Sequence, residues 1–390
     1  MELTSKQEQG LKIAIDRYKN HERYTCISGY AGTGKSTLVK FIISALDVDE
    51  DDVCYAAYTG KAAQVLLKKG NKNVSTLHKL LYKSYPRPDG SFLRLPVDEV
   101  PYKIVIVDEV SMAPRNLMKL LFTHKNVHVI CLGDPFQLPP VDKDEDNHLL
   151  DNPHIFLDEV MRQAQESEII RVTMDIRNHK PLSLMDGNEV KILTKADLST
   201  GMMQWADQML VGTNQMRVAL NNQMRELLGR GDAPEDGDKV ICLRNYWSIL
   251  AENEDPLVNG TIGYLQDSFE SFNQLPWRMG GQRIYTIQGN FLSDGGALYK
   301  NLDMDKKLIL TGEKSLDWKT TWKLNSNPRT SMLVPLEFTY GYAITGHKAQ
   351  GSEWDKVLVV EEKFPFAKEE HARWLYTCAT RASEKLVLVK

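Results

Sequence analysis

Cysteine is scarce: Cys26, Cys54, Cys131, Cys242 and Cys378 are the only five in 390 residues, an odd number without a CxxC pair. That argues against a disulfide framework or a thiolate zinc site and fits a reducing compartment. Long apolar runs are missing as well. None reaches the ~18 residues of a membrane-spanning helix, and the opening MELTSKQEQG has no apolar signal segment. The expectation is a soluble, cytoplasmic protein that does not engage membranes. An excess of positive charge is also absent: 48 Lys+Arg against 52 Asp+Glu leave a net charge of −4. Bulk charge therefore gives no support to a nucleic-acid partner, which would need a locally positive groove within an acidic surface. Internal repeats and low-complexity segments are missing too.

What remains is a chain with 42% hydrophobic residues, enough for a large core divided over several units. Its first part alternates strands and helices. Apolar strands are expected at 23–28, 54–59, 103–109 and 127–134, and helices at 36–46 and along KAAQVLLKKG, closed by Gly70. Continuous apolar strands separated by helices imply a parallel sheet covered on both faces. Residues 82–99, with two prolines and Asp89-Gly90 between alternating positions, predict a projecting hairpin. A second parallel sheet is expected from about residue 160, with strands in QMLVGTN, KVLVVEE and KLVLVK. A Gly-, Trp- and Tyr-rich stretch, 243–334, reads as a small β insert with Trp247, Trp277, Trp318 and Trp322 as its core. His124 and His128 have helical spacing but no acidic third ligand nearby, and read as surface histidines rather than a metal site.

The most informative segment is Gly29-Tyr-Ala-Gly32-Thr33-Gly34-Lys35-Ser36, which matches GxxxxGK(S/T) between a strand and a helix. The glycines let backbone N–H groups close around a polyphosphate, at a helix N-terminus that adds partial positive charge. Lys35 can reach the β- and γ-phosphates and the Ser36 hydroxyl can bind Mg²⁺, with Thr37 beside it. Asp108-Glu109 follows the strand KIVIV. Asp108 is the candidate on the metal side and Glu109 the candidate base for the attacking water, with Asp108 expected on a strand neighbouring the phosphate loop. This pair defines nucleoside-triphosphate hydrolysis or phosphoryl transfer, and leaves open what the energy drives.

Further segments resemble the superfamily 1 helicases, most closely the RecD-like and phage Dda-like branch, in motif order from residue 3 to residue 389. Leu3-Thr4-Ser5-Lys6-Gln7 resembles the Q motif, which implies that Gln7 reads the adenine edge. Tyr58-Thr59-Gly60-Lys61-Ala62-Ala63 resembles motif Ia and Ser75-Thr76-Leu77-His78 motif Ib. Gly133-Asp134-Pro135-Phe136-Gln137-Leu138-Pro139-Pro140-Val141 resembles motif III, implying that Gln137 senses the γ-phosphate. Arg162 stands at the motif IV arginine, Thr345-Gly-His347-Lys348-Ala-Gln350-Gly351-Ser-Glu353 resembles motif V, and Tyr376-Thr377-Cys-Ala-Thr380-Arg381 motif VI. Two positions depart from the pattern: Tyr58 replaces the usual proline of motif Ia, and Met161 stands where an aromatic often stacks on adenine.

The resemblance implies an α/β fold of two RecA-like lobes, 1–81 with 100–158 and 159–242 with 335–390. The first carries the 82–99 hairpin and the second an SH3-like insert at 243–334. ATP and Mg²⁺ would sit between the lobes, touching Gln7, the phosphate loop, Gln137, Gly351 and Glu353. Arg162 and Arg381 would come from the second lobe to clamp the transferring phosphoryl group. Single-stranded DNA would be held by Tyr58, Thr59, Gly60, Thr76, His78, Thr345, His347 and Lys348, and Phe92 would tip a pin that splits the fork. The expected activity is that of a monomeric 5′→3′ DNA helicase in a bacterial or phage-infected cytoplasm, with replication or recombination proteins as partners. Two other readings stay open here: a translocase that strips proteins from a strand, and a non-hydrolysing single-strand binding module.

Overall fold

The computed structural model describes residues 3–86, 92–139, 146–161, 165–252, 255–362 and 367–390. The chain divides into two compact units. One comprises Met1–Tyr82, Pro96–Gly212 and Thr345–Lys390; the other comprises Lys83–Leu95 and Thr213–Ile344.

The first unit holds two sheets. Helix α1 (Ser5–Lys19) leads into β1 (Tyr24–Gly29), α2 (Lys35–Leu46), β2 (Val53–Ala57), α3 (Gly60–Lys68), β3 (Val74–Thr76) and α4 (Leu77–Leu81). Next in the chain come the hairpin strands β4 (Tyr82–Pro86) and β5 (Phe92–Pro96), whose residues Lys83–Leu95 belong to the other unit, and then, back in the first, β6 (Ile104–Val107), α5 (Arg115–Leu121), β7 (His128–Gly133) and β8 (Ile155–Leu157). The order β3-β2-β6-β7-β1-β8 is parallel throughout. Every residue of β6 and β7 is buried, as expected for strands covered on both faces. Successive side chains of β6 separate the two cores. Val105 and Val107 join Leu77, Leu81 and Leu117 on one face, while Ile104 and Ile106 join Ile27, Leu38 and Ile42 on the other. Each such side chain contributes about 1.5–3 kcal/mol through burial.

The second sheet is built from Gln208–Val211, Trp354–Val360, Ala382–Val389 and Val190–Leu193, parallel in that order, with Met185–Asp186 antiparallel at the end. The C-terminal strand pairs on both sides, and helices Glu168–Arg177 and Lys368–Ala379 pack against each other. Among the described residues no helix is long and apolar enough to cross a membrane.

The histidines expected on the surface are buried. His128 opens β7 and bridges the Thr25 hydroxyl (3.0 Å) and the Glu22 carbonyl (2.8 Å). Desolvation holds its pKa below the usual histidine range. His124 is buried as well.

The other unit contains an antiparallel sheet in the order Leu298–Asp305, Arg283–Ser293, Ile262–Gln274, Lys239–Cys242, Phe338–Tyr340. The sheet thus begins before residue 243 and ends after 334. Helix Asn214–Leu227 belongs to the same unit. Its Arg225 lies on the buried Asp238 carboxylate at 3.1 Å, and Tyr342 donates to that carboxylate at 2.9 Å. The core is formed by Phe291, stacked with Tyr299 and edge-to-face with Phe338. The tryptophans expected there are elsewhere: Trp277 is 90% exposed, Trp318 73% and Trp322 66%. In helix Trp318–Asn325 only Leu324 is buried, and the two tryptophans, four residues apart, share the opposite stripe. The Trp247 side chain lies outside the described residues. In the hairpin, residues 87–91 and the Phe92 side chain also lie outside them, so the expected tip is known only as the start of β5.

Candidate active site

In a parallel sheet all strands end on one edge, and loops leaving that edge converge. Here β1 runs into the phosphate loop, β2 into Tyr58-Thr59, β6 into Asp108-Glu109 and β7 into Asp134. Asp108 does not come from a strand next to β1, as expected from the sequence; β7 lies between β1 and β6.

The phosphate loop is shaped by Gly32 and Gly34, both with φ of 76°, a left-handed conformation that costs glycine nothing. A Cβ on Gly34 would lie 2.5 Å from Gln7 Nε2 and from Met161 Sδ, and one on Gly29 would lie 2.8 Å from the Leu157 carbonyl. Lys35 opens α2 and folds back, donating to the carbonyls of Gly29 (2.6 Å) and Tyr30 (3.0 Å). Ser36 stands exposed in the first turn of the helix, Thr37 is half-buried, and Thr33 Oγ1 donates to the Tyr30 carbonyl.

Gln7 is fully buried, and a capping box explains its orientation. Thr4 caps α1 through the Gln7 N–H, and Gln7 Oε1 accepts from the Thr4 N–H at 3.0 Å. This fixes the amide so that Nε2 faces the loop and donates to the Thr33 carbonyl at 3.2 Å. The Thr-x-x-Gln spacing signals this box in the sequence. Met161 joins Gln7 at this corner and donates its N–H to the Gly32 carbonyl.

Asp108 and Glu109 project from the end of β6, with Glu109 in a left-handed conformation at φ 49°. Desolvation, and then the adjacent Glu109 carboxylate, push the Asp108 carboxyl up to about 6. Oriented by its hydrogen-bond network, the Gln137 amide donates to Glu109 Oε2 at 3.1 Å and accepts from Arg381 Nη2 at 3.1 Å. Arg381 is 6% exposed and its Nη1 lies 3.7 Å from Glu109 Oε1. Its remaining N–H groups donate to the carbonyls of Thr377 and Ser352 and to Thr380 Oγ1. The first sheet's carboxylate and the second sheet's guanidinium thus meet through one glutamine.

Sequence reasoning assigned no role to Tyr376 or Asp134. Tyr376 Oη donates to Asp134 Oδ2 at 2.6 Å and accepts from the Ala31 N–H of the phosphate loop at 2.9 Å. Desolvation raises the Asp134 carboxyl. Leu138 is held in the same way, its N–H by Thr377 Oγ1 (2.9 Å) and its carbonyl by Gln350 Nε2 (2.6 Å).

Other candidates fall differently. Arg162 lies outside the described residues. Gly351, with φ of 71°, packs toward Ala62 and Thr59, where a Cβ would approach Ala62 Cβ to 3.0 Å. Glu353 pairs with Lys69 at 3.1 Å, and Lys69 is close enough to Asp108 to lower its pKa. Both residues therefore border α3 rather than the phosphate loop. Thr59 and Thr76 cap α3 and α4, accepting from Ala62 N (3.1 Å) and Lys79 N (3.2 Å), with Gly60 as the first residue of α3. Tyr58, His78 and Tyr82 form an aromatic row, with successive ring centroids 5.7 and 6.3 Å apart. Thr345 precedes the short helix Gly346–Ala349, which carries His347, shifted down by burial, and the exposed Lys348.

Fold and cleft together define a P-loop α/β protein with two RecA-like sheets. Residues 2–196 match the AAA domain model and residues 340–389 the UvrD-like helicase C-terminal domain. The chain is 27% identical over 398 residues to the ATP-dependent RecD2 DNA helicase of Deinococcus radiodurans, covering 95% of this chain and 47% of that protein. It is 34% identical over 193 residues to the ATP-dependent DNA helicase Dda of Enterobacteria phage T4, covering 46% and 43%. Among solved structures, Pif1 helicase from Bacteroides in complex with ADP-AlF3 and ssDNA aligns with a TM-score of 0.52 at 17% identity, over 100% of this chain and 92% of that one. The chain belongs to the superfamily 1B helicases, and spans about half the length of the curated relatives it matches.

Proposed function

We propose that this chain is an ATP-dependent DNA helicase core that moves 5′→3′ along single-stranded DNA and opens fork duplex, acting as a monomer in the cytoplasm alongside replication or recombination proteins. The observation that carries the proposal is the Glu109–Gln137–Arg381 chain, because it ties a hydrolytic carboxylate of one lobe to a cation of the other. In this reading the phosphate-loop N–H groups and Lys35 hold the triphosphate and Gln7 reads the adenine edge. Ser36 and Asp108 offer oxygen ligands suited to Mg²⁺, which would neutralise phosphate charge. Glu109 orients water, Gln137 reports the γ-phosphate, and Arg381 with Arg162 stabilises the charge of the departing phosphoryl group. Gly351 and Glu353 border the site through α3 and Lys69.

Hydrolysis then becomes motion because Gln350, Tyr376 and Thr377 of one lobe hold backbone of the other beside the same pocket. The strand would run past Tyr58, Thr59, Gly60, Thr76 and His78, then Thr345, His347 and Lys348. It would be gripped by backbone contacts and by stacking on the aromatic row. An SH3-like character for the unit that carries the antiparallel sheet belongs to the same proposal.

The test is unwinding of duplexes bearing a 5′ or a 3′ tail, in DNA and RNA versions, with ATP. Opening of 5′-tailed DNA alone is expected; opening of only 3′-tailed or RNA duplexes would refute the assignment. A translocase that strips proteins is separated by Phe92→Ala, which should lower strand displacement while translocation survives. A non-hydrolysing binding module is excluded if single strands stimulate phosphate release.

A further inference from the structure

The exposed tryptophans of the second unit require a reason, since indole rings rarely stay in water at 66–90% exposure without a partner. Helix Trp318–Asn325 is amphipathic in an unusual sense. Leu324, with Thr320 and Thr321 beside it, faces inward. Trp318 and Trp322 form one outer stripe, and Lys319 and Lys323 form the next. Trp277 and Arg278 lie on the turn between Leu275 and Ile284, and both of those residues share a hydrophobic cluster with Leu316 and Leu324. One small core therefore carries all three tryptophans.

Charge selects the occupant. Residues 318–329 contain Lys319, Lys323 and Arg329 and no acid; residues 275–285 contain Arg278 and Arg283 and no acid. Five cations face a single nearby acid, Asp317, whose carboxylate caps the helix and lies close to Lys319; that excess stands out in a chain of net charge −4, and Lys323, Arg278 and Arg329 form no salt bridge among the described residues. Exposed indoles interleaved with unpaired cations are the chemistry that holds single-stranded nucleic acid, bases on rings and phosphates on cations. We propose that Trp318, Trp322 and Trp277, with Lys319, Lys323 and Arg278, form a second single-strand binding surface, separate from the row at Tyr58 and His78. It rests on the nucleic-acid reading above for the class of its ligand.

The test is photo-cross-linking of the full chain to oligo(dT) carrying 5-iodouracil, followed by peptide mapping. Cross-links at Trp318 or Trp322, besides those in motif peptides, are expected. Affinity is then measured over a series of oligo(dT) lengths. The double variant Trp318→Ala/Trp322→Ala should bind long oligonucleotides about ten-fold or more weakly and leave the shortest that bind unaffected. Trp318→Phe/Trp322→Phe should retain most of the affinity, and Lys319→Glu/Lys323→Glu should reduce the slope of log K against log salt by about 1.4. All these side chains are exposed, so melting temperatures should stay near wild type. Cross-links confined to motif peptides, with unchanged affinity at every length, overturn this surface alone. No cross-link anywhere overturns the nucleic-acid reading as well. Self-association that the double alanine variant abolishes would assign the patch to a second copy of the chain instead.

Discussion

Replacing Tyr376 with phenylalanine removes one oxygen and two hydrogen bonds, and its consequences follow from the geometry. Tyr376 is 1% exposed and Asp134 2% exposed, so no water replaces the hydroxyl on the carboxylate. The bond to Asp134, 2.6 Å long, is charge-assisted when Asp134 is ionised, and bonds of that kind contribute about 1.5–3 kcal/mol. The Ala31 N–H loses its acceptor as well. A loss of about 2 kcal/mol or more corresponds to a fall in Tm of ~4–8 °C for a unit of this size. The pH dependence has a definite sign. Burial raises the Asp134 carboxyl, so the folded state binds its proton more tightly than the unfolded chain, and the group's contribution is lost as pH rises through the folded pKa. The tyrosine bond opposes that shift. Removing it raises the carboxyl further, so the gap between wild type and variant is widest at neutral to alkaline pH and narrows in acid. Thermal melts of both proteins from pH 5 to pH 8, followed by fluorescence, measure it. Equal melting temperatures at pH 8, or a gap that widens in acid, would refute the reasoning.

Lys35→Ala should abolish ATP turnover, because it removes the ammonium that opens α2 and folds back onto the phosphate loop, while anisotropy with a labelled oligonucleotide should report single-strand binding close to wild type. Asp108, pushed up to about 6, takes a proton just below neutrality, and a protonated carboxyl binds Mg²⁺ poorly. Turnover should therefore fall as pH drops through about 6, and more Mg²⁺ should move the fall to lower pH; a midpoint indifferent to Mg²⁺ would remove Asp108 from the metal site.

Much of the fold was readable because runs such as KIVIV and VHVICLG are continuous, β-branched and too short for helices, as strands covered on both faces are, and because a glycine loop between strand and helix has few uses. The placement of the cleft residues was readable where a motif follows an apolar strand, so that Lys35, Asp108 and Gln137 come to the same edge of one sheet. Roles created by tertiary neighbours were not. Tyr376 lies inside a recognised motif, yet nothing local says that its hydroxyl would reach Ala31 and Asp134. Glu353 was placed at the nucleotide by resemblance, whereas its partner is Lys69. Burial was misjudged in both directions. Trp318 and Trp322 read as core, although their neighbours in the helix are lysines, and His128 reads as surface, although it opens an all-buried strand. Strands Lys239–Cys242 and Phe338–Tyr340 are as apolar as their parallel counterparts, so composition could not reveal that they pair antiparallel in the other unit.

The central claim is that a cation from the second sheet completes the chemistry begun at the first. Arg381→Ala, assayed by single-turnover phosphate release with saturating ATP, Mg²⁺ and oligo(dT), tests it most directly when ATP affinity is measured in parallel. The account predicts a loss of about 10³-fold or more in the hydrolysis step, with ATP binding changed only a few-fold. Hydrolysis at the wild-type rate in a folded variant would contradict it.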